Sequence, residues 1–122
     1  MRARSLLDTD LGRPIDLAAV AAEVGLSYEN FRKRFQRAMG VSPARYRTVR
    51  RIEAARELLR YTPQMTNRQV AASLGFSDEY HFSKRFTQIT GMTPRQLRRR
   101  TAAGGGGEAG PQAGETAGPG RM

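Results

Sequence analysis

The stretch "VAASLGFSDEYHFSKRF", residues 70–86, decides the fold. Small apolar residues lead to Gly75, a polar cluster follows, and two phenylalanines four apart stand beside Lys84 and Arg85. Apolar residues three and four apart share one face of a helix. Glycine permits the left-handed backbone that turns a chain without a β-carbon clash. The stretch therefore reads as a short helix, a tight turn and a second helix with an apolar side and a basic side. "VAAEVGLSYENFRKRF", residues 20–35, says nearly the same thing. Val20, Ala21, Ala22, Gly25 and Ser27 match Val70, Ala71, Ala72, Gly75 and Ser77 at an offset of 50. Phe31, Lys33, Arg34, Phe35, Gly40 and Pro43 match Phe82, Lys84, Arg85, Phe86, Gly91 and Pro94 at an offset of 51. One extra residue thus lies in the second copy, between Ser77 and Phe82.

Within the first copy, Ala21 precedes Gly25 by four residues and Phe31 follows it by six. A small side chain at Ala21 lets two helices cross closely, and Phe31 closes the core between them. This is helix-turn-helix geometry, whose second helix can lie in a DNA major groove. One such pattern is a weak signal. Two copies, each followed by basic residues and a Gly-x-Ser/Thr-Pro ending, are a strong one.

Working outward, the apolar spacing is helical almost throughout, and no stretch alternates as a strand. "RARSLLDTD" reads as a short or clipped first helix. Asp16 can cap "LAAVAAEV", with Leu17, Val20, Ala21 and Val24 on one face, and Ser27 can cap the helix after Gly25. Ser42 caps and Pro43 opens a long helix to about Arg60, with Tyr46, Val49, Ile52, Ala55 and Leu59 along a stripe. "TPQM" breaks the pattern, and Thr66 with Gln69 fits a capping box. Ser77 or Asp78 caps the next helix, where Phe82, Phe86 and Ile89 form the apolar face. Thr93, Pro94 and Gln96 open a last short helix. The expected class is all-α, with about seven helices. The expected organisation is a lead-in over 1–14, a first helix-turn-helix over 15–42, a linker helix over 43–62, and a second helix-turn-helix with a final helix over 63–101. Residues 102–122 are glycine, alanine and proline with no large apolar side chain except Met122, and read as a disordered tail.

The formal net charge is +10, from 21 Lys+Arg against 11 Asp+Glu. With the tail's Glu108, Glu115 and Arg121 set aside, the remainder is one charge more positive. Such density points to a polyanionic partner. All but Lys33 and Lys84 of the cations are arginine, whose planar fork suits phosphates and guanine edges. There is no cysteine, which excludes disulfides and thiolate chemistry, and His81 is the only histidine. Neither a metal, a cofactor nor an enzyme activity is expected. No apolar run reaches membrane-spanning length and no signal-peptide core is seen, so no membrane partner and a cytoplasmic location are expected.

The segment from about Ile15 to Arg98 resembles the DNA-binding domain of the AraC/XylS family of transcription regulators. "VAASLGFSDEYHFSKRFTQITGMTPRQLR", residues 70–98, carries the resemblance: Ala71, Gly75, Phe76, Phe82, Phe86, Gly91 and Pro94 fall where that family has them. Leu97 departs from it, since the family usually has tyrosine before arginine. The family's common amino-terminal sensor and dimerisation domain is absent, so the chain reads as a stand-alone domain or as a fragment of a larger sensor-regulator. The resemblance implies two homeodomain-like helix-turn-helix lobes joined by the linker helix. Eighteen residues of that helix span about 27 Å, approaching the roughly 34 Å between successive major grooves. It also implies transcription regulation, in the direction of activation, with RNA polymerase as a partner. The protein would be associated with the bacterial nucleoid when bound to DNA, and would bind as a monomer unless a missing sensor domain dimerises it.

On the first recognition helix, Phe31 and Phe35 point inward, which leaves Tyr28, Glu29, Arg32 and Lys33 facing out. Matched to the family's base-contacting positions, Glu29, Arg32 and Lys33 are the expected readers. Arginine bonds guanine through two atoms, and glutamate accepts from the cytosine amino group. The second outward set is Glu79, Tyr80, Ser83 and Lys84. Tyr80 suits a thymine methyl, and Lys84 can reach guanine. Either glutamate can instead be a plain helix-start charge stabilised by the dipole. Ser27 and Ser77 are phosphate donors, caps or both. Arg34, Arg37, Arg45, Arg85 and Arg95 are expected to clamp phosphates without sequence preference. Arg50, Arg51, Arg56 and Arg60 read as a solvated or partner-facing surface. The phenylalanines belong to a core rather than to a stacking platform for single strands, and His81 is a partly exposed structural residue.

Two other classes compete with sequence-specific binding of double-stranded DNA. An enzyme carrying this module would need clustered acids, histidines or cysteines, which are not visible. A nucleoid or RNA-binding protein acting by charge alone would not need two differently dressed faces, "YENFRK" and "DEYHFSK".

Overall fold

The structure is a computed structural model that describes residues 2–103; the reading of 102–122 as a disordered tail falls, from residue 104 on, outside them. Among the described residues there are seven α-helices: α1 (Arg2–Leu7), α2 (Leu17–Glu23), α3 (Tyr28–Met39), α4 (Pro43–Tyr61), α5 (Asn67–Ser73), α6 (Glu79–Thr90) and α7 (Pro94–Ala103). The chain divides into two compact units, one through Arg51 and one from Ile52, so α4 contributes to both. Each unit holds one helix-turn-helix, α2–α3 in the first and α5–α6 in the second.

The caps show why the helices start where they do. Asp16 accepts from the N–H groups of Ala18 and Ala19 at 3.0 and 3.2 Å, satisfying donors the first turn leaves open. Thr66 and Gln69 form a reciprocal capping box at 3.0 and 2.9 Å, and Thr93 with Gln96 forms another at 3.0 and 2.8 Å. Ser27 accepts from the Asn30 N–H at 3.3 Å, and Ser42 from the Arg45 N–H at 3.2 Å. For α6 the sequence leaves Ser77 and Asp78 open, and Asp78 is the cap, accepting from the His81 N–H at 2.7 Å. α2 and α5 therefore start 50 residues apart and α3 and α6 51 apart, which narrows the extra residue to the Ser77–Asp78 turn.

Both turns are built alike. Gly25 and Gly75 sit at φ 77° and 81°, in the left-handed region that other residues enter at a cost. The next N–H, of Leu26 or Phe76, reaches back to the carbonyl of Ala21 or Ala71 at 2.9 and 3.0 Å. The glycine N–H itself bonds Ala22 or Ala72 at 3.0 and 3.2 Å, completing a Schellman motif in each copy. Ala21 and Ala71 are buried, so neither crossing has room for a larger side chain.

In the first unit Ala3, Leu7, Val20, Ala21, Phe31 and Phe35 form one buried cluster, backed by Leu26, Met39 and Tyr46 among others. The second unit buries Ile52, Ala55, Leu59, Val70, Ala71, Leu74, Phe76, Phe82, Phe86 and Leu97. The repeat also runs further toward the amino terminus than Val20. "ARSLL" of α1, residues 3–7, matches "ARELL" of α4, residues 55–59, and Ala3 and Leu7 are buried as Ala55 and Leu59 are. On the α4 stripe Ile52, Ala55 and Leu59 are buried, while Tyr46 and Val49 are half-buried.

Two arginines expected on a solvated or partner-facing surface are held instead within the first unit. Arg50 Nε donates to Asp8 at 3.0 Å, and the same carboxylate accepts from the Tyr46 hydroxyl at 3.0 Å. Arg51 donates to the carbonyls of Leu11 and Arg13 at 2.7 and 3.0 Å. The reason is local: the loop between α1 and α2 lies against this face of α4 and presents acceptors to it. Among the described residues no helix is long and apolar enough to cross a membrane.

Candidate nucleic-acid interface

α3 and α6 are twelve-residue helices of the same register. With 3.6 residues per turn, burying Phe31 and Phe35, or Phe82 and Phe86, turns the opposite side outward. On α3, Glu29 and Lys33 are exposed, and Arg32 is partly covered. Residues three and four apart are neighbours on a helix, so these three form one polar strip. Arg32 donates to Glu29 at 3.3 Å, an i,i+3 pair at the surface. Such a pair is worth about 0–1 kcal/mol, so either partner can be drawn to another ligand at little cost.

The matching strip on α6 is Tyr80, Ser83 and Lys84, with Glu79 in the first turn. Tyr80 is 76% exposed, a large ring with no packing role in its own unit. Glu79 is exposed at the amino-terminal end of α6, where a negative charge suits the helix dipole. Position by position, Tyr28, Glu29, Arg32 and Lys33 correspond to Glu79, Tyr80, Ser83 and Lys84. Only the lysine is shared, on two helices whose buried sides carry the same phenylalanines.

The residues read as phosphate contacts fall into different settings. Ser27 is occupied in capping α3. Ser77 lies outside its helix, with its hydroxyl 3.5 Å from His81 Nδ1. His81 is exposed and its ring meets the Phe76 edge at 5.8 Å. Arg37, Arg45 and Arg95 are exposed. Arg34 and Arg85 lie about 140° round their helices from Glu29 and Tyr80, on a flank rather than on the polar strip. Arg85 also donates to Gln88 at 3.0 Å, and Arg34 borders an apolar groove with Arg2, Val24 and Leu26.

Arg47 and Arg98 were not singled out from the sequence, yet they hold the loops that enter α2 and α5. Arg47 is 4% exposed and donates to the carbonyls of Leu7, Thr9, Asp10 and Arg13 at 2.6–3.0 Å. Burial pushes its guanidinium below the ordinary arginine value, and Arg51 adds to the effect. Arg98 donates to Asn67 Oδ1 at 2.7 Å and to the carbonyls of Pro63 and Met65. The available signal was the repeat itself, since Arg47 and Arg98 stand at the same offset of 51 as Pro43 and Pro94. Among the described residues no cluster of histidine, cysteine, aspartate and glutamate could hold a metal ion.

Comparison with known proteins agrees with this architecture. A family profile described as a helix-turn-helix domain matches residues 20–100. The HTH-type transcriptional regulator GbdR of Pseudomonas aeruginosa is 36% identical over 94 residues, covering 77% of this chain and 25% of that protein. The HTH-type transcriptional activator RhaS of Escherichia fergusonii is 30% identical over 92 residues, covering 75% of this chain and 33% of that protein. This chain thus spans a quarter to a third of the length of these curated relatives. A solved transcriptional regulator of Chromobacterium violaceum, with an AraC-type DNA-binding domain, superposes with a TM-score of 0.77 at 30% identity, covering 83% of this chain and 89% of that one. With the matched span running from within α2 to α7, the chain belongs to the AraC family of helix-turn-helix transcription regulators.

Proposed function

We propose that this chain binds double-stranded DNA sequence-specifically and thereby regulates transcription, with α3 and α6 as its two readers. One observation carries the reading: two helices with the same buried side present different polar strips to solvent. A binder acting by charge alone gains nothing from that difference. On α3, Arg32 and Lys33 are donors for guanine and Glu29 an acceptor for the cytosine amino group. On α6, Tyr80 meets a thymine methyl, Lys84 reaches guanine, and Glu79 and Ser83 complete the strip. Ser27, Arg34, Arg37 and Arg45 in the first lobe, and Ser77, Arg85 and Arg95 in the second, contact phosphates and fix register. The relative named as an activator supports positive regulation, with RNA polymerase as the contacted partner. The chain acts in the cytoplasm as a monomer on its site, unless a sensor domain such as the longer relatives have room for dimerises it.

Selection of bound duplexes from a random library at near-physiological salt tests this. Enrichment of two short motifs is expected, with Arg32→Ala relaxing one and Lys84→Ala the other. Strong binding with no enrichment and a steep collapse in salt would instead mark a charge-driven binder.

A further inference from the structure

The loop entering each helix-turn-helix closes over an arginine from the helix that follows the reader. In the first lobe Arg47, on α4, takes four carbonyls of residues 7–13, and Arg51 takes two carbonyls of the same loop. In the second, Arg98, on α7, takes the carbonyls of Pro63 and Met65 and the side chain of Asn67. Among the described residues, neither Arg47 nor Arg98 donates a hydrogen bond to a carboxylate. The acceptors are backbone oxygens, joined at Arg98 by the Asn67 amide oxygen, which a planar fork with five N–H donors can serve and an ammonium serves less completely. Pro43 and Pro94, four residues before these arginines, are fully buried and fix the start of each arginine-bearing helix.

We infer that Arg47 and Arg98 are positioning residues for DNA, each holding the entrance of its own lobe's first helix in register with that lobe's reader. This rests on the reading of α3 and α6 given above. The first helix of a helix-turn-helix crosses the DNA backbone while the second enters the groove. A loop that slips therefore misplaces phosphate contacts in one lobe and leaves the other alone. The Arg47 guanidinium is buried and that of Arg98 is half-buried against its loop, and neither makes a phosphate contact of its own.

The test uses the whole chain and the duplex selected by the wild type. Backbone contacts in the two halves are mapped by ethylation interference, affinity is measured against salt, and folding is followed by thermal melting. Arg98→Met is expected to weaken binding about tenfold, roughly one lost charge-assisted hydrogen bond. The affected backbone contacts should lie in the α6 half only and be weakened rather than removed, so the salt slope should stay unchanged. Arg98→Lys should recover part of the loss, and Asn67→Ala should reproduce a milder form of it. Arg47→Lys should show the same pattern in the α3 half, which keeps the inference testable should Arg98→Met not fold. A salt slope reduced by about one would make Arg98 a direct phosphate contact and overturn the inference. So would equal loss in both halves, or no loss in a folded variant. A wild-type chain that selects no sequence overturns the underlying DNA reading instead, and is distinguished by needing no variant at all.

Discussion

The two lobes share a skeleton and differ in where they place their bulk. In the first, the rings run Phe31–Phe35–Tyr46, with centroids 5.7 and 5.5 Å apart. In the second they run Phe76–Phe82–Phe86, at 5.3 and 5.7 Å. The third ring has moved from one end of the phenylalanine pair to the other. Leu26 stands where the second lobe has Phe76, and Leu97 where the first has Tyr46. A core tolerates such an exchange when total volume and pattern are kept. The same comparison explains a groove of about 310 Å³ in the first lobe, lined by Ala3, Val24, Leu26, Phe31, Phe35 and Ala38. Three of those positions carry Leu74, Phe76 and Ile89 in the second lobe, each larger than its counterpart. The same places of the scaffold thus carry larger side chains in the second copy.

The largest effect should come from emptying the shared position. Phe35→Ala and Phe86→Ala each remove a fully buried ring and should cost about 3–5 kcal/mol. Phe86→Ala is expected at the upper end, because Phe35 borders the groove and its cavity can take in solvent. Denaturant unfolding of the two variants checks this, and a cheaper Phe86→Ala would break the correspondence between the lobes.

The exposed strips offer the next comparison. Glu29→Tyr with Arg32→Ser gives α3 the tyrosine, serine and lysine of the α6 strip, leaving Tyr28 where α6 has Glu79 and changing nothing buried. Selection with this double variant should yield two copies of the α6 motif and lose about 1–3 kcal/mol on the original site, the discrimination of a good base contact. An unchanged selected site would show that α3 does not read bases.

Most of the skeleton was legible in the sequence, for a physical reason. Caps, glycine turns and apolar spacing are local signals, and here each was written twice. Thr66 with Gln69 and Gly25 with Gly75 needed no knowledge of distant contacts. The loop clamps were not legible in the same way. On a strongly basic chain an arginine reads as a ligand for phosphate or for water. That Arg47 and Arg51 meet carbonyls of residues 7–13 depends on how the α1–α2 loop closes over α4, and no residue pattern reports a carbonyl's direction. The sequence leaves the cap of α6 open between Ser77 and Asp78, because both can cap and only the helix register selects Asp78. Tyr80 and Lys84 could be placed on an outward face by spacing alone. What each one meets there is a property of a complex, not of the chain alone.

Smaller effects sharpen the comparison further. A β-carbon added at Gly25 would meet nothing within 4 Å, so Gly25→Ala should cost only the left-handed backbone, about 1–2 kcal/mol. A larger loss on unfolding would mean that the turn is crowded after all. Leu26→Phe gives the first lobe the ring the second has at Phe76. It should stabilise by about 0.5 kcal/mol, at the low end of cavity filling because the groove is open. Destabilisation would show that the first lobe's backbone does not admit the second lobe's packing.

The subtlest difference is one of pH. Burial raises the Tyr46 hydroxyl above the ordinary tyrosine value, and the hydrogen bond it donates to Asp8, with that carboxylate's charge, raises it further. The folded chain therefore holds this proton more tightly than the unfolded chain does. Its contribution to stability is complete below the unfolded value near pH 10 and is lost as pH rises through the raised folded value. Leu97, at the matching place in the second lobe, has no proton to lose. Unfolding midpoints of the wild type and Tyr46→Phe, followed from pH 8 to about pH 11, should keep a constant separation at first. Above that unfolded value the wild type should lose stability faster than the variant. Arg50 donates to the same carboxylate and opposes the shift, so Arg50→Met should leave the onset at the unfolded value and extend the loss to higher pH. Parallel curves throughout would mean that Tyr46 titrates alike in both states, and that the Asp8 bond distinguishes the lobes in geometry but not in energy.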